Sequence, residues 1–91
     1  MADTIRDNPA RHRFELEIDG HVAFVTYRLA PGVITFVHTE VPKELGGKGV
    51  GLMLARQVLD HTRAQGLKVV PLCPFVASFI ERHAEFKDLL A

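Results

Sequence analysis

Between Arg13 and Asp19 apolar and polar residues alternate, with Phe14, Leu16 and Ile18 on one side and Glu15, Glu17 and Asp19 on the other. A period of two is that of a strand with one buried and one solvated face. Asp19-Gly20 supplies the residue pair of a two-residue hairpin. The next run, Val22 to Leu29, is apolar on both faces, as a central strand would be. Ala30-Pro31-Gly32 marks a second turn, and Val33 to Val41 a third strand. The three strands make an antiparallel meander.

From about Gly49 to Ala64 the period becomes helical. The polar stripe is narrow (Arg56, Asp60, Arg63), so a wide face of this helix is covered. Gly66 stands where a helix-ending glycine belongs. Leu67 to Leu72 reads as a fourth strand, and Pro71, which cannot donate to a ladder, marks where its pairing ends or opens. Cys73-Pro74 starts a second helix, with Phe75, Val76, Phe79, Ile80 and His83 on its apolar side; proline suits a first helical position. The order is βββαβα. Residues 1–12, polar and containing Asn8-Pro9, are expected to form a flexible arm ahead of one domain over 13–91.

The chain has 91 residues, enough for one modest core. Lys plus Arg and Asp plus Glu number 11 each, so the zero net charge gives no global support for nucleic-acid binding. The apolar runs are far shorter than a membrane span, and the N-terminus lacks the apolar core of a secretory signal. Cys73 is the single cysteine, so no internal disulfide forms. A cytoplasmic protein, monomeric or weakly dimeric, is expected, with neither nucleic acid nor membrane as partner.

Four of the seven glycines fall in Gly46-Gly47-Lys48-Gly49-Val50-Gly51, between the third strand and the first helix. A strand, a glycine loop and a helix start make an anion site, because the first helical N–H groups are unpaired and the helix dipole adds positive potential. A nucleotide P-loop fits poorly, since Leu52 stands where its lysine is needed. A dinucleotide fingerprint fails at the same residue, and the preceding strand belongs to a meander rather than a parallel βαβ unit.

The loop is similar to [QR]-x-x-G-x-[GA] of the GNAT superfamily of acyltransferases. Gly49 and Gly51 match its small positions, and Gly46 replaces the usual glutamine or arginine. His38-Thr39-Glu40-Val41-Pro42 and the segment from Gly66 to Phe75 resemble the small, single-domain YjdJ-like branch. The resemblance spans residues 12 to 86. It implies a minimal α+β fold, three-layer-like, with a mostly antiparallel sheet whose third and fourth strands splay around the cofactor. It also implies acetyl transfer from acetyl-coenzyme A to an amine acceptor. The coenzyme would be held by Val41, Gly46, Gly47, Lys48, Gly49, Val50 and Gly51, with Cys73 beside its thioester. A non-catalytic acyl-coenzyme A binding or regulatory module is the alternative, and an interaction domain with a merely structural glycine loop a third reading.

Three residues are candidates for the chemistry. Cys73, before Pro74, falls at a helix N-cap, where the positive helix end favours reactive thiols. It could accept the acetyl group or protonate the leaving thiolate; the bland reading is a buried small hydrophobe. Regular alternation puts Ile34, Phe36, His38 and Glu40 on one strand face, making Glu40 a candidate base with His38 as partner or rival. His38-Thr39-Glu40 with Cys73 also resembles pieces of zinc deaminases. Pro74-Phe75-Val76 holds no second cysteine, however, so no metal site is expected. Many members of the superfamily place an acidic tyrosine on the last helix. Here Glu81 takes that place, and the single tyrosine, Tyr27, lies on the second strand.

Overall fold

The computed structural model describes residues 4–47 and 49–91. Five strands lie in the order β1 (Arg6–Asn8), β2 (Arg13–Ile18), β3 (His21–Ala30), β4 (Val33–Glu40) and β5 (Lys68–Pro71). The first four are antiparallel neighbours, and β4 and β5 run parallel. Helix α1 (Val50–Ala64) makes the crossover between them, and α2 (Pro74–Arg82) follows β5. This is an α+β fold with a mixed sheet.

Local chemistry sets the boundaries. Asp19 and Gly20 both have positive φ (53° and 78°), the backbone that a two-residue hairpin needs to match strand twist. Helix α1 stops at Gly66 (φ 71°), where Gly66 N–H donates to the Arg63 carbonyl and Leu67 N–H to that of Thr62. These two bonds satisfy carbonyls that the helix end leaves open. Val50, Leu54, Ala55, Val58, Leu59 and Thr62 form its buried stripe.

One core holds the molecule together. The alternate residues Ala23, Val25 and Tyr27 of β3 and Ile34 and Phe36 of β4 meet Leu54, Val58 and Leu59 of α1 and Val76, Phe79 and Ile80 of α2. Val25 and Thr39 line one cleft with residues of both helices, so α1 and α2 lie on the same sheet face. Among the described residues the packing is therefore two-layered rather than three-layer-like. The other face carries Glu15, Phe24, Thr26, His38 and Glu40. After α2, Phe86 and Leu89 close the core, and Arg63 grips Asp88 through two guanidinium bonds of 2.7 and 3.0 Å.

The stretch expected to be a flexible arm contains β1 and a 3₁₀ turn at Pro9–Arg11. Its attachments are long-range. Tyr27 donates to Asp7 (2.6 Å), Asn8 to Glu15 (3.1 Å), and the Ile5 N–H to Gln57 of α1 (2.8 Å). Residues 1–3 of that stretch lie outside the described residues. No helix among the described residues is long and apolar enough to cross a membrane.

Candidate active site

Strand β4 changes neighbours half-way along. Val33 to Phe36 pair with β3 on one side and with Lys68 to Pro71 on the other. Pro71 ends the parallel ladder. Leu72 N–H turns back to the Val70 carbonyl (3.2 Å), and Cys73 N–H makes a last bond to the Phe36 carbonyl (2.9 Å). Pro74 then turns the chain into α2. From His38 to Glu40, β4 is paired among the described residues with β3 alone, leaving an open strand edge above Cys73. The expected opening at Pro71 is thus a fork whose closed end is the Cys73–Phe36 bond.

The register of β4 also shifts at this point. Thr26 faces His38 and Tyr27 faces Phe36, so Val37 is an extra residue without an opposite number. Such a bulge reverses which side chains face which way. Ile34, Phe36 and Thr39 consequently point to the helices, while His38 and Glu40 point to the open sheet face. The sequence expectation that Ile34, Phe36, His38 and Glu40 share a face is corrected here: strict alternation ignores the bulge.

Thr39, which sequence reasoning passed over, meets Cys73 in the fork. Its Oγ1 lies 3.1 Å from Cys73 Sγ. Cys73 is the N-cap of α2, as expected, and is only 3 % exposed. The bulge that redirects Thr39 leaves no local trace in the sequence, so only the strand register could have identified it. On the other face, His38 and Glu40 are 62 % and 61 % exposed and 3.8 Å apart. Cys73 is brought together with Thr39, not with this pair. The zinc-like grouping of His38, Glu40 and Cys73 is not assembled among the described residues.

The glycine loop continues from the open half of β4. Val41 is partly buried against the core, and Leu45, 1 % exposed in a 3₁₀ turn over Lys43–Leu45, pins the loop. Gly47 and Gly49 have φ of 77° and 69°, a left-handed backbone that side chains rarely adopt. Gly49 is the N-cap of the 15-residue α1, and among the described residues no side chain caps the helix. The N–H groups of its first turn, at Val50 and Gly51, are thus open to an outside acceptor. Gly51 has another reason to be glycine: a Cβ there would stand 2.9 Å from the ring of Phe75. Gly46 is crowded by the Lys43 carbonyl, 3.1 Å from its would-be Cβ. Lys48 lies outside the described residues.

Tyr27 is no substitute for the absent helix tyrosine. Its hydroxyl donates to Asp7 in a cleft that it shares with His61, Gln65 and Leu67. Burial, then the Asp7 bond and charge, push its pKa well above the ordinary 10.0. Glu81 is exposed on α2.

Comparison with known proteins finds the same fold. Residues 13–89 match the family model described as GCN5-related N-acetyl-transferase. A GCN5-like protein from Staphylococcus aureus, solved in solution by NMR, superimposes with a TM-score of 0.74 at 30% identity. The match covers 100% of this chain and 91% of that one. No match is found among curated proteins. The chain belongs to the GCN5-related N-acetyltransferase family.

Proposed function

We propose that this protein transfers an acetyl group from acetyl-coenzyme A to an amine acceptor. The observation that carries the reading is the fork between β4 and β5, whose open half of β4 runs on through the glycine loop into the start of α1. An extended chain bearing amides, such as pantetheine, can pair with the free edge of β4 as an added strand would. Gly46, Gly47, Lys48, Gly49, Val50 and Gly51 would then hold the pyrophosphate, with Val41 between loop and fork. The bound coenzyme supplies an acyl group activated as a thioester.

The protein's own residues divide the proton transfers. Glu40 takes the proton that an ammonium acceptor must lose, with His38 beside it as relay or rival base. Both stand on the open sheet face, where an acceptor arrives from solvent. Cys73 gives a proton to the departing sulfur at the closed end of the fork, and Thr39 holds the thiol in place. The burial of Cys73 and its Thr39 contact favour this role over covalent capture of the acetyl group.

The test begins with calorimetric titration by coenzyme A and acetyl-coenzyme A, then turnover on a panel of amines. Ligand at a hundredfold over its dissociation constant should stabilise the fold by about 2.7 kcal/mol. Cys73→Ala should retain coenzyme binding and lose about a hundredfold in kcat. Intact-mass measurement with acetyl-coenzyme A alone should show no acetylated enzyme; an adduct on Cys73 would reinstate the covalent route. Binding without turnover on any amine would make the protein a binding module. Absence of binding would leave the glycine loop structural.

A further inference from the structure

The cleft beside Tyr27 lies at the end of α1 remote from the glycine loop and has a volume of about 100 Å³. One water needs about 10–15 Å³ of such space, so a small organic group fits. Asp7, Phe14, Tyr27, Leu29, His61 and Leu67 line it, and its polar groups favour one sign of charge. Asp7 Oδ1 accepts the Tyr27 hydroxyl at 2.6 Å, and an ionised carboxylate has further lone pairs to offer. Among the described residues neither lysine nor arginine lines the cleft. The last turn of α1 ends beside it and adds the negative pole of the helix dipole. The rings of Phe14 and Tyr27 lie 4.9 Å apart and those of Phe14 and His61 5.2 Å, and aromatic faces attract cations. The raised Tyr27 pKa agrees: burial acts first, and then the Asp7 bond and charge oppose a second anion here. Leu29, 63 % exposed, and Leu67 give the mouth an apolar rim.

We infer that this cleft binds a small primary alkylammonium, with the ammonium on Asp7 and the alkyl chain over Leu29 and Leu67. An ammonium donates to a carboxylate in a charge-assisted hydrogen bond, and its chain covers the apolar rim. Ile34, at the cleft, and Glu40 stand near opposite ends of β4 and on opposite sheet faces. The amine held here is therefore not the one proposed to be acetylated, and the inference does not rest on the acyl-coenzyme A reading. Its occupancy ties β1, which carries Asp7, to the end of α1.

NMR titration of the full chain with n-butylammonium, and with n-butanol as its neutral isostere, tests this. The cation should shift the amide signals of Asp7, Phe14, Tyr27 and Leu67 saturably. The alcohol should bind about tenfold more weakly, the worth of one charged hydrogen bond. Asp7→Asn keeps an acceptor for the Tyr27 hydroxyl and should weaken the cation about tenfold. Leu29→Lys, at an exposed position that folding tolerates, puts a like charge on the rim and should also weaken it. Equal binding of cation and alcohol, or unchanged affinity for the cation in either variant, overturns the inference and leaves an apolar crevice. Shifts confined to His38, Glu40 and their neighbours overturn it in favour of the acceptor position alone. Absence of saturable shifts with the cation overturns it as well, while the coenzyme titrations proposed above stand on their own result.

Discussion

Glu15 and Glu40 lie in one row across the same sheet face, with Phe24 between them. Their surroundings are opposite. Glu15 is 7 % exposed, held by Arg13 Nε at 2.7 Å and by Asn8 and Arg6, and Arg13 itself lies 4.2 Å over the Phe24 ring. Glu40 is 61 % exposed and, among the described residues, has His38 as its ion-pair partner, at 3.8 Å. The difference comes from what stands beside each strand. β2 has β1 on its outer side, and β1 brings Arg6 and Asn8. Among the described residues the last half of β4 has no outer neighbour, because Pro71 ends the ladder. A carboxylate closed in by cations holds strands together. One left open at a fork is available to take a proton.

Removing the frame that both glutamates share should have the largest effect. Phe36 is fully buried, pairs with Tyr27 on one side and Pro71 on the other, and its carbonyl accepts the Cys73 N–H that closes the fork. Phe36→Ala should cost about 3–5 kcal/mol, read by chemical denaturation. A loss below 1 kcal/mol would mean that the fork's closed end is held by something other than this ring.

Glu40→Gln separates the two roles. Stability should move by less than about 0.5 kcal/mol, as for an exposed residue, while turnover on an amine acceptor falls about a hundredfold. The matching substitution His38→Gln decides which of the pair is the base. If only the histidine variant loses activity, the assignment of Glu40 is wrong.

What could be read in advance depended on the range of the signal. The Asp19-Gly20 turn, the Gly66 helix end and the Cys73-Pro74 start of α2 are written in neighbouring residues, and each stands where expected. So does the glycine loop, whose conformational demands are local. The alternation puts Glu15 with Glu17 and Asp19 on a solvated face, yet Glu15 is buried, because the residues that bury it come partly from β1. β1 leaves no pattern of its own, since its three polar residues form a strand only through pairing with β2 and bonds to the distant Glu15 and Tyr27. The Val37 bulge belongs to the pairing of two strands rather than to either one. Missing it put His38 and Glu40 on the wrong face and hid Thr39.

The smallest effect, and the sharpest check on the pair, comes from Glu15→Gln. The Arg13 hydrogen bond holds the Glu15 carboxyl below the ordinary 4.5 against the opposing effect of burial, with Asn8 and the charges of Arg13 and Arg6 assisting. A depressed native pKa means that the unfolded chain binds the proton more readily. The stability from this group is therefore complete above pH 4.5 and is lost as pH falls through the native value. At pH 7 Glu15→Gln should cost about 1–2 kcal/mol, with acetyl transfer unchanged because Glu40 and the fork are untouched. Below pH 4.5 the native protein should lose this advantage, so the two denaturation curves converge on acidification. A gap that persists at low pH would mean that packing against Phe24, not charge, holds Glu15 in place. The contrast between the two glutamates would then be one of shape rather than of electrostatics.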